Sequence, residues 1–202
     1  MDHINNSIFE LIRECTDKRT PIFFSADGLD VVFQTQILVI RDDTIVLANS
    51  VPPQYITEVV KSSKYFVQIQ MIRFVSEEIN SDGVNIVFPL KSLKPIEDNR
   101  SAKRFPFEAD EKVVVAMLNP YDKETVLHKS VIDISSTGLS IRSPVNSELY
   151  TPGTKFHNMK VIIKGKVYNQ SDGTVIYKRK FLDQEGNSYY QVGIKFESHE
   201  AN

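Results

Sequence analysis

The stretch "VIDISSTGLSI", Val131 to Ile141, decides how the second half of the chain is read. Ile132 and Ile134 alternate with Asp133 and Ser135, the two-residue period of a strand with one buried face. On that reading the isoleucines enter a core, and Asp133 and Ser135 project from the opposite face. "SSTG" then turns the chain, with Gly138 allowing a positive φ, and "LSI" returns as a second strand. A carboxylate and a hydroxyl would thus stand beside a tight turn. The carboxylate can accept from paired N–H donors of a guanine, and hydroxyl plus turn amides suit a phosphate. The same two residues also suit a hairpin in which they only bond their own turn.

Other strand-like runs surround this hairpin: "KVVVAML", "TVLHKSVIDI", "KFHNMKVIIKGKVYN", "GTVIYKRKF" and "YYQVGIKF". Between them lie "NPYDKE", "NSELYTPG", "NQSDG" and "LDQEGNS", each rich in turn residues. Five or six short strands at this spacing, without helices between them, predict a closed antiparallel barrel.

Upstream, "KSLKPIEDNR" breaks the pattern with charge and proline and marks a domain boundary. The half before it is mostly β with two small helices. Ile8, Phe9, Leu11, Ile12 and Cys15 have the spacing of an amphipathic helix. "SVPPQYITEVVKSS" predicts a second one, with Ser50 as its cap and prolines in the first turn. "TPIFFSA", "DVVFQTQILVIRD", "TIVLAN", "KYFVQIQMIRF" and "GVNIVFPL" read as strands.

At the boundary stands "NRSAKRFPF", Asn99 to Phe107, with Arg100 and Arg104 four apart. That spacing would align them on a helix, but Pro106 biases Phe105 toward extended angles. The pair is therefore expected on extended or irregular chain. Guanidinium groups fork onto phosphates or onto the N7/O6 edge of guanine, and stack on base faces.

Composition bounds the function. At 202 residues, 41% hydrophobic and 25% charged, the chain has the balance of a globular protein. One cysteine excludes an internal disulfide, and no apolar run reaches the roughly 18 residues of a membrane span. The start, "MDHINNSIFELIREC", has no basic end followed by an apolar stretch, so a cytoplasmic protein without membrane insertion is expected. Residues 1–98 carry a net charge of −5 and residues 99–202 a net of +3. This is too small an excess for a general nucleic-acid binder. The four histidines lack metal-ligand spacing, no phosphate loop of the Walker type occurs, and Ser135 beside Asp133 lacks a histidine base. Neither an enzyme nor a metal or cofactor protein is expected.

Arg-x-x-x-Arg followed, about thirty residues on, by Asp-x-Ser-x-x-Gly resembles the signature of the PilZ family, small β-barrels that bind cyclic di-GMP. Arg100 and Arg104 match the first element, and Asp133, Ser135 and Gly138 the second. Phe105-Pro106 resembles the apolar-proline pair after the second arginine, and "VGIKF", Val192 to Phe196, the closing strand. The family's frequent basic residue before the first arginine is Asn99 here, so one ligand molecule and a stacked pair both stay open. The resemblance, which covers residues 99–198, implies a mainly β, two-domain protein similar to flagellar-brake receptors. It would have a split-barrel-like module with short helices over 1–92, a linker carrying the arginines over 93–104, and a six-stranded antiparallel PilZ barrel over 105–202. It implies cyclic di-GMP bound by Arg100, Arg104, Asp133, Ser135 and Gly138, with Arg142 as a further contact. Ligand would reorient the domains toward a protein partner in the flagellar motor, adhesion or exopolysaccharide machinery. A PilZ-fold adaptor without nucleotide affinity and a barrel binding single-stranded nucleic acid are the other readings.

Overall fold

The computed structural model describes residues 3–81, 84–96, 102–107 and 111–197. The chain is mainly β and forms two compact units, Met1–Asn99 with Phe181–Asn187, and Arg100–Lys180 with Ser188–Asn202.

The first unit contains α1 (His3–Asp17), β1 (Ile22–Ala26), β2 (Val31–Thr35), β3 (Ile37–Arg41), β4 (Thr44–Ala48), α2 (Pro53–Lys61), β5 (Tyr65–Ile69), β6 (Ile72–Ser76), β7 (Asn80–Ser81), β8 (Asn85–Pro89) and β9 (Lys94–Pro95). One sheet runs β2-β1-β5-β6-β9 and another β3-β4-β8-β7. Phe24, Phe33, Phe74 and Phe88 fill the core they share. The apolar stripe of α1 buries Ile12 and Cys15 in it, and burial pushes the Cys15 thiol pKa up.

Two runs that read as single strands are divided. "DVVFQTQILVIRD" breaks at Gln36, so β2 pairs with β1 while β3 pairs with β4. The corner is pinned from both sides: Thr35 Oγ1 donates to the Ala48 carbonyl at 2.6 Å, and the Ala48 N–H donates to that of Gln36 at 3.0 Å. "KYFVQIQMIRF" is a hairpin, because Gln70 adopts a φ of 51° and turns β5 into β6. Ser50 does not cap α2. The helix starts at Pro53 behind an extended Pro52, without a side-chain cap, and Ser50 Oγ is buried without a partner. Packing of this unit continues past residue 92, since Leu93 joins the core and β9 pairs with β6. Phe181 meets Phe23 edge-on at 5.5 Å, and Leu182 is buried in the same core.

The second unit is built from β10 (Phe105–Pro106), β11 (Val113–Leu118), β12 (Val126–Ser135), β13 (Gly138–Ser143), β14 (Lys155–Ile163), β15 (Lys166–Leu182, entering the first unit at Phe181) and β16 (Ser188–Phe196). Its pairing order is β14-β11-β12-β13-β16-β15, and β15 pairs again with β14, so the six long strands close on themselves. The β14–β15 turn is Lys164-Gly165, with φ of 49° and 79°, the left-handed pair whose twist suits a two-residue hairpin. "NQSDG" is not a turn: β14 pairs with Asn169 through Thr174, so the ladder runs straight through it. Asp122 organises the β11–β12 loop by accepting from the Glu124 and Thr125 N–H groups, both at 2.9 Å. Those bonds hold its carboxyl below the ordinary value. Ile141, Phe156, Val161, Val192 and Ile194 fill the interior around Tyr150, whose phenol pKa burial pushes up to about 12.

Candidate functional site

The strand reading of Val131–Ile141 holds with one shift of parity. The β12–β13 register slips between Val131 and Asp133, a bulge at Ile132. Val131 and Ile134 therefore fill the core, where alternation predicted Ile132 and Ile134. Asp133 keeps its outward position opposite Ser140, and two residues, Ser136 and Thr137, make the turn.

Asp133 is not left open to water. The segment before the second unit's long strands lies extended along β12, Phe105 opposite Ile134 and Pro106 opposite Asp133. The Phe107 N–H continues the ladder to the Ile132 carbonyl at 2.9 Å. Pro106 keeps this segment extended, as its sequence requires. The result places Arg104 Nη1 2.9 Å from Asp133 Oδ1, joining residues 29 apart in the chain. Their side chains are 21% and 14% exposed, which makes this a largely desolvated ion pair.

Further groups complete the arrangement. Ser140 Oγ, fully buried, donates to Asp133 Oδ2 at 2.7 Å and accepts from Gln191 Nε2 at 3.0 Å. Tyr177 stands within hydrogen-bonding reach of the Arg104 guanidinium. Burial pulls the Arg104 pKa down, but the Asp133 charge and the Tyr177 phenol together raise it above its ordinary value. The Tyr177 ring is seated on Gly193, where an added Cβ would lie 2.1 Å from Cε1. Gln191, Ser140, Asp133, Arg104 and Tyr177 thus form one polar chain across the second unit's outer face. A guanidinium has five N–H donors, so Arg104 keeps others for a phosphate or a guanine edge.

The turn residues depart from expectation. Ser135 is buried, its Oγ donating to the Gly138 carbonyl at 3.2 Å and accepting from the Thr137 N–H at 3.3 Å. Its hydroxyl bonds its own turn instead of projecting outward. Gly138 has no positive φ. Glycine is needed there for close approach: an added Cβ would sit 2.3 Å from the Ile194 carbonyl oxygen on β16. Arg142 lies exposed two residues beyond Ser140, its guanidinium carbon 4.0 Å from the Tyr189 ring centroid. Arg100 lies outside the described residues. Among the described residues, no group of three or more His, Cys, Asp or Glu could hold a metal ion, and no helix is long and apolar enough to cross a membrane.

Sequence reasoning missed Ser140, Tyr177, Gln191 and Gly193. Ser140 was within reach: a two-residue turn after Ser135 puts Gly138 opposite Ser135 and Ser140 opposite Asp133. The other three come from β15 and β16, whose positions beside β13 carry no local signal.

No family model matches the chain, and no curated protein matches it either. Solved structures do. K. pneumonia MrkH in its c-di-GMP complex matches with a TM-score of 0.67 at 15% identity, over 97% of this chain and 87% of that one. Another MrkH structure, described as a c-di-GMP-dependent transcription regulatory factor, matches at 0.65 and 15% identity, over 98% and 85%. Escherichia coli YcgR in complex with c-di-GMP matches at 0.58 and 14% identity, over 98% and 84%. The chain has the two-domain β fold of these PilZ-type proteins, the fold its motifs implied.

Proposed function

We propose that this protein is a cyclic di-GMP receptor, a binding switch rather than a catalyst. The observation that carries the proposal is the Arg104–Asp133 pair. Two residues singled out by spacing alone meet on one face beside the Ser135–Gly138 turn, in the fold of proteins solved with c-di-GMP bound. Arg104 would present its remaining donors to a phosphate or guanine edge, and Arg100 would supply a second fork from the same segment. Asp133 holds Arg104 and would offer its further lone pairs to guanine N–H groups. The turn amides beside Gly138 suit the second phosphate. The Ser135 hydroxyl serves the turn, which assigns it to shaping this cradle.

Charge-assisted hydrogen bonds contribute about 1.5–3 kcal/mol each. Four or five of them, less several kcal/mol for ordering ligand and chain, leave about −8 kcal/mol, a micromolar affinity. Ligand drawn onto Arg100 and Arg104 would fix the linker segment and so reorient the two domains toward a protein partner, with motility, adhesion and exopolysaccharide machinery as candidates. The shift is limited by the ligand's differential affinity for the two arrangements.

Calorimetry with cyclic di-GMP, GTP and a short oligonucleotide tests this reading. Heat is expected only with cyclic di-GMP, at micromolar affinity, and lost in Arg104→Ala. Arg100→Lys should weaken binding despite its retained charge, because an ammonium cannot fork. Silence with all three ligands would point to an adaptor, and equal oligonucleotide binding to a nucleic-acid barrel.

A further inference from the structure

Five cations in the described residues lie over aromatic rings, and one stands apart. Arg73, Lys103, Lys129 and Lys178 are 5.6 to 6.0 Å from their ring centroids, while Arg142 is 4.0 Å from that of Tyr189. Only the last is a contact stack. Its place in the ladder is informative. Leu139 and Ile141 fill the core, so Ser140 and Arg142 share the outer face of β13, about 7 Å apart along the strand. Arg142 is directly opposite Gln191, whose amide donates to Ser140 Oγ, and Ser140 in turn holds Asp133. Tyr189 is two residues from Gln191 on the same strand, the diagonal position from which a long side chain reaches across. The stacked pair is therefore the next step along the face that carries Arg104 and Asp133.

We infer that Arg142, held flat by Tyr189, is a second purine subsite that takes the other guanine of the same cyclic dinucleotide. This rests on the receptor reading above. Tyr189 covers one face of the guanidinium and leaves the opposite face and the N–H edge for a ligand. A guanidinium fixed in this way can stack on a base, or fork onto the N7 and O6 acceptors that guanine presents together. Adenine has an amino donor where guanine has O6, so a fork there selects guanine. Arg104 with Asp133 would then hold one base and its phosphate, and Arg142 with Tyr189 would read the second base.

The test is calorimetry on wild type, Arg142→Ala, Arg142→Lys and Tyr189→Leu with three ligands: cyclic di-GMP, the mixed cyclic GMP–AMP, and cyclic di-AMP. Thermal unfolding of each variant checks its fold. The wild type is expected to prefer cyclic di-GMP over the mixed dinucleotide by about tenfold or more. Arg142→Ala should bind cyclic di-GMP about tenfold more weakly and lose that preference. Arg142→Lys should behave like the alanine variant if a planar fork is required, and Tyr189→Leu should fall between wild type and alanine. Wild-type binding of cyclic di-GMP with affinity and preference unchanged in Arg142→Ala overturns the subsite and leaves the receptor reading standing. Arg142→Lys matching wild type overturns the fork and reduces Arg142 to a source of positive field. Absence of wild-type binding to any cyclic dinucleotide removes both.

Discussion

Arg104 and Arg142 are the same side chain on one outer face of the second unit, yet their surroundings differ in kind. Arg104 is largely shielded, its charge answered by Asp133 and its geometry set by Tyr177. Arg142 is exposed, and its company is an aromatic ring. A shielded guanidinium cannot lose its counter-charge without leaving the other ion stranded in a poorly solvated place. An exposed one recovers water whenever its neighbour is removed. The first should therefore belong to both stability and binding, and the second to binding alone.

The largest effect tests the first half of that contrast. Arg104→Ala strands Asp133, and denaturant unfolding should show a loss of about 3–5 kcal/mol. Replacing both partners with apolar residues of similar size, Arg104→Met with Asp133→Leu, should recover most of that loss, because no ion is left buried. Binding of cyclic di-GMP should stay absent in the double variant. If the double variant is as unstable as the single one, the segment's packing, and not its charge, is what Arg104 supplies. Ser140→Ala is the intermediate case. It deprives Asp133 Oδ2 and Gln191 of a shared partner, and should cost about 1–3 kcal/mol in the same assay. A smaller change would mean that water replaces the hydroxyl.

Much of this was legible in the chain itself, and the boundary of legibility is physical. Pro106 fixes its neighbour's backbone locally, so the extended path of the Arg104 segment could be read from two residues. The Asp133 position was also readable, because strand period needs only a few neighbours. The bulge at Ile132 was not, since it arises where β12 meets β13 and leaves no mark on the alternation of Ile132 and Ile134. Gly138 shows the same limit differently. A glycine after "SST" looks like a turn residue, but what forbids a side chain there is the Ile194 carbonyl, dozens of residues away. Tyr177 and Gly193 complete the site by the same kind of close approach between distant strands. The division of "DVVFQTQILVIRD" between two sheets escaped notice for a related reason. Its apolar run is continuous, and only the tether from Thr35 to Ala48 marks the corner.

The smallest effect tests the second half of the contrast. An exposed cation over a tyrosine contributes about 0.5–1 kcal/mol. Holding an arginine in one rotamer costs up to about 2 kcal/mol of side-chain entropy. The two nearly cancel, so Arg142→Ala should leave the denaturation midpoint within about 0.5 kcal/mol of wild type. Weakened cyclic di-GMP binding with unchanged stability is the signature of a group held in place for a ligand. A loss of 2 kcal/mol or more would instead show that the Arg142–Tyr189 stack braces β13 against β16, and the two arginines would then differ in degree only.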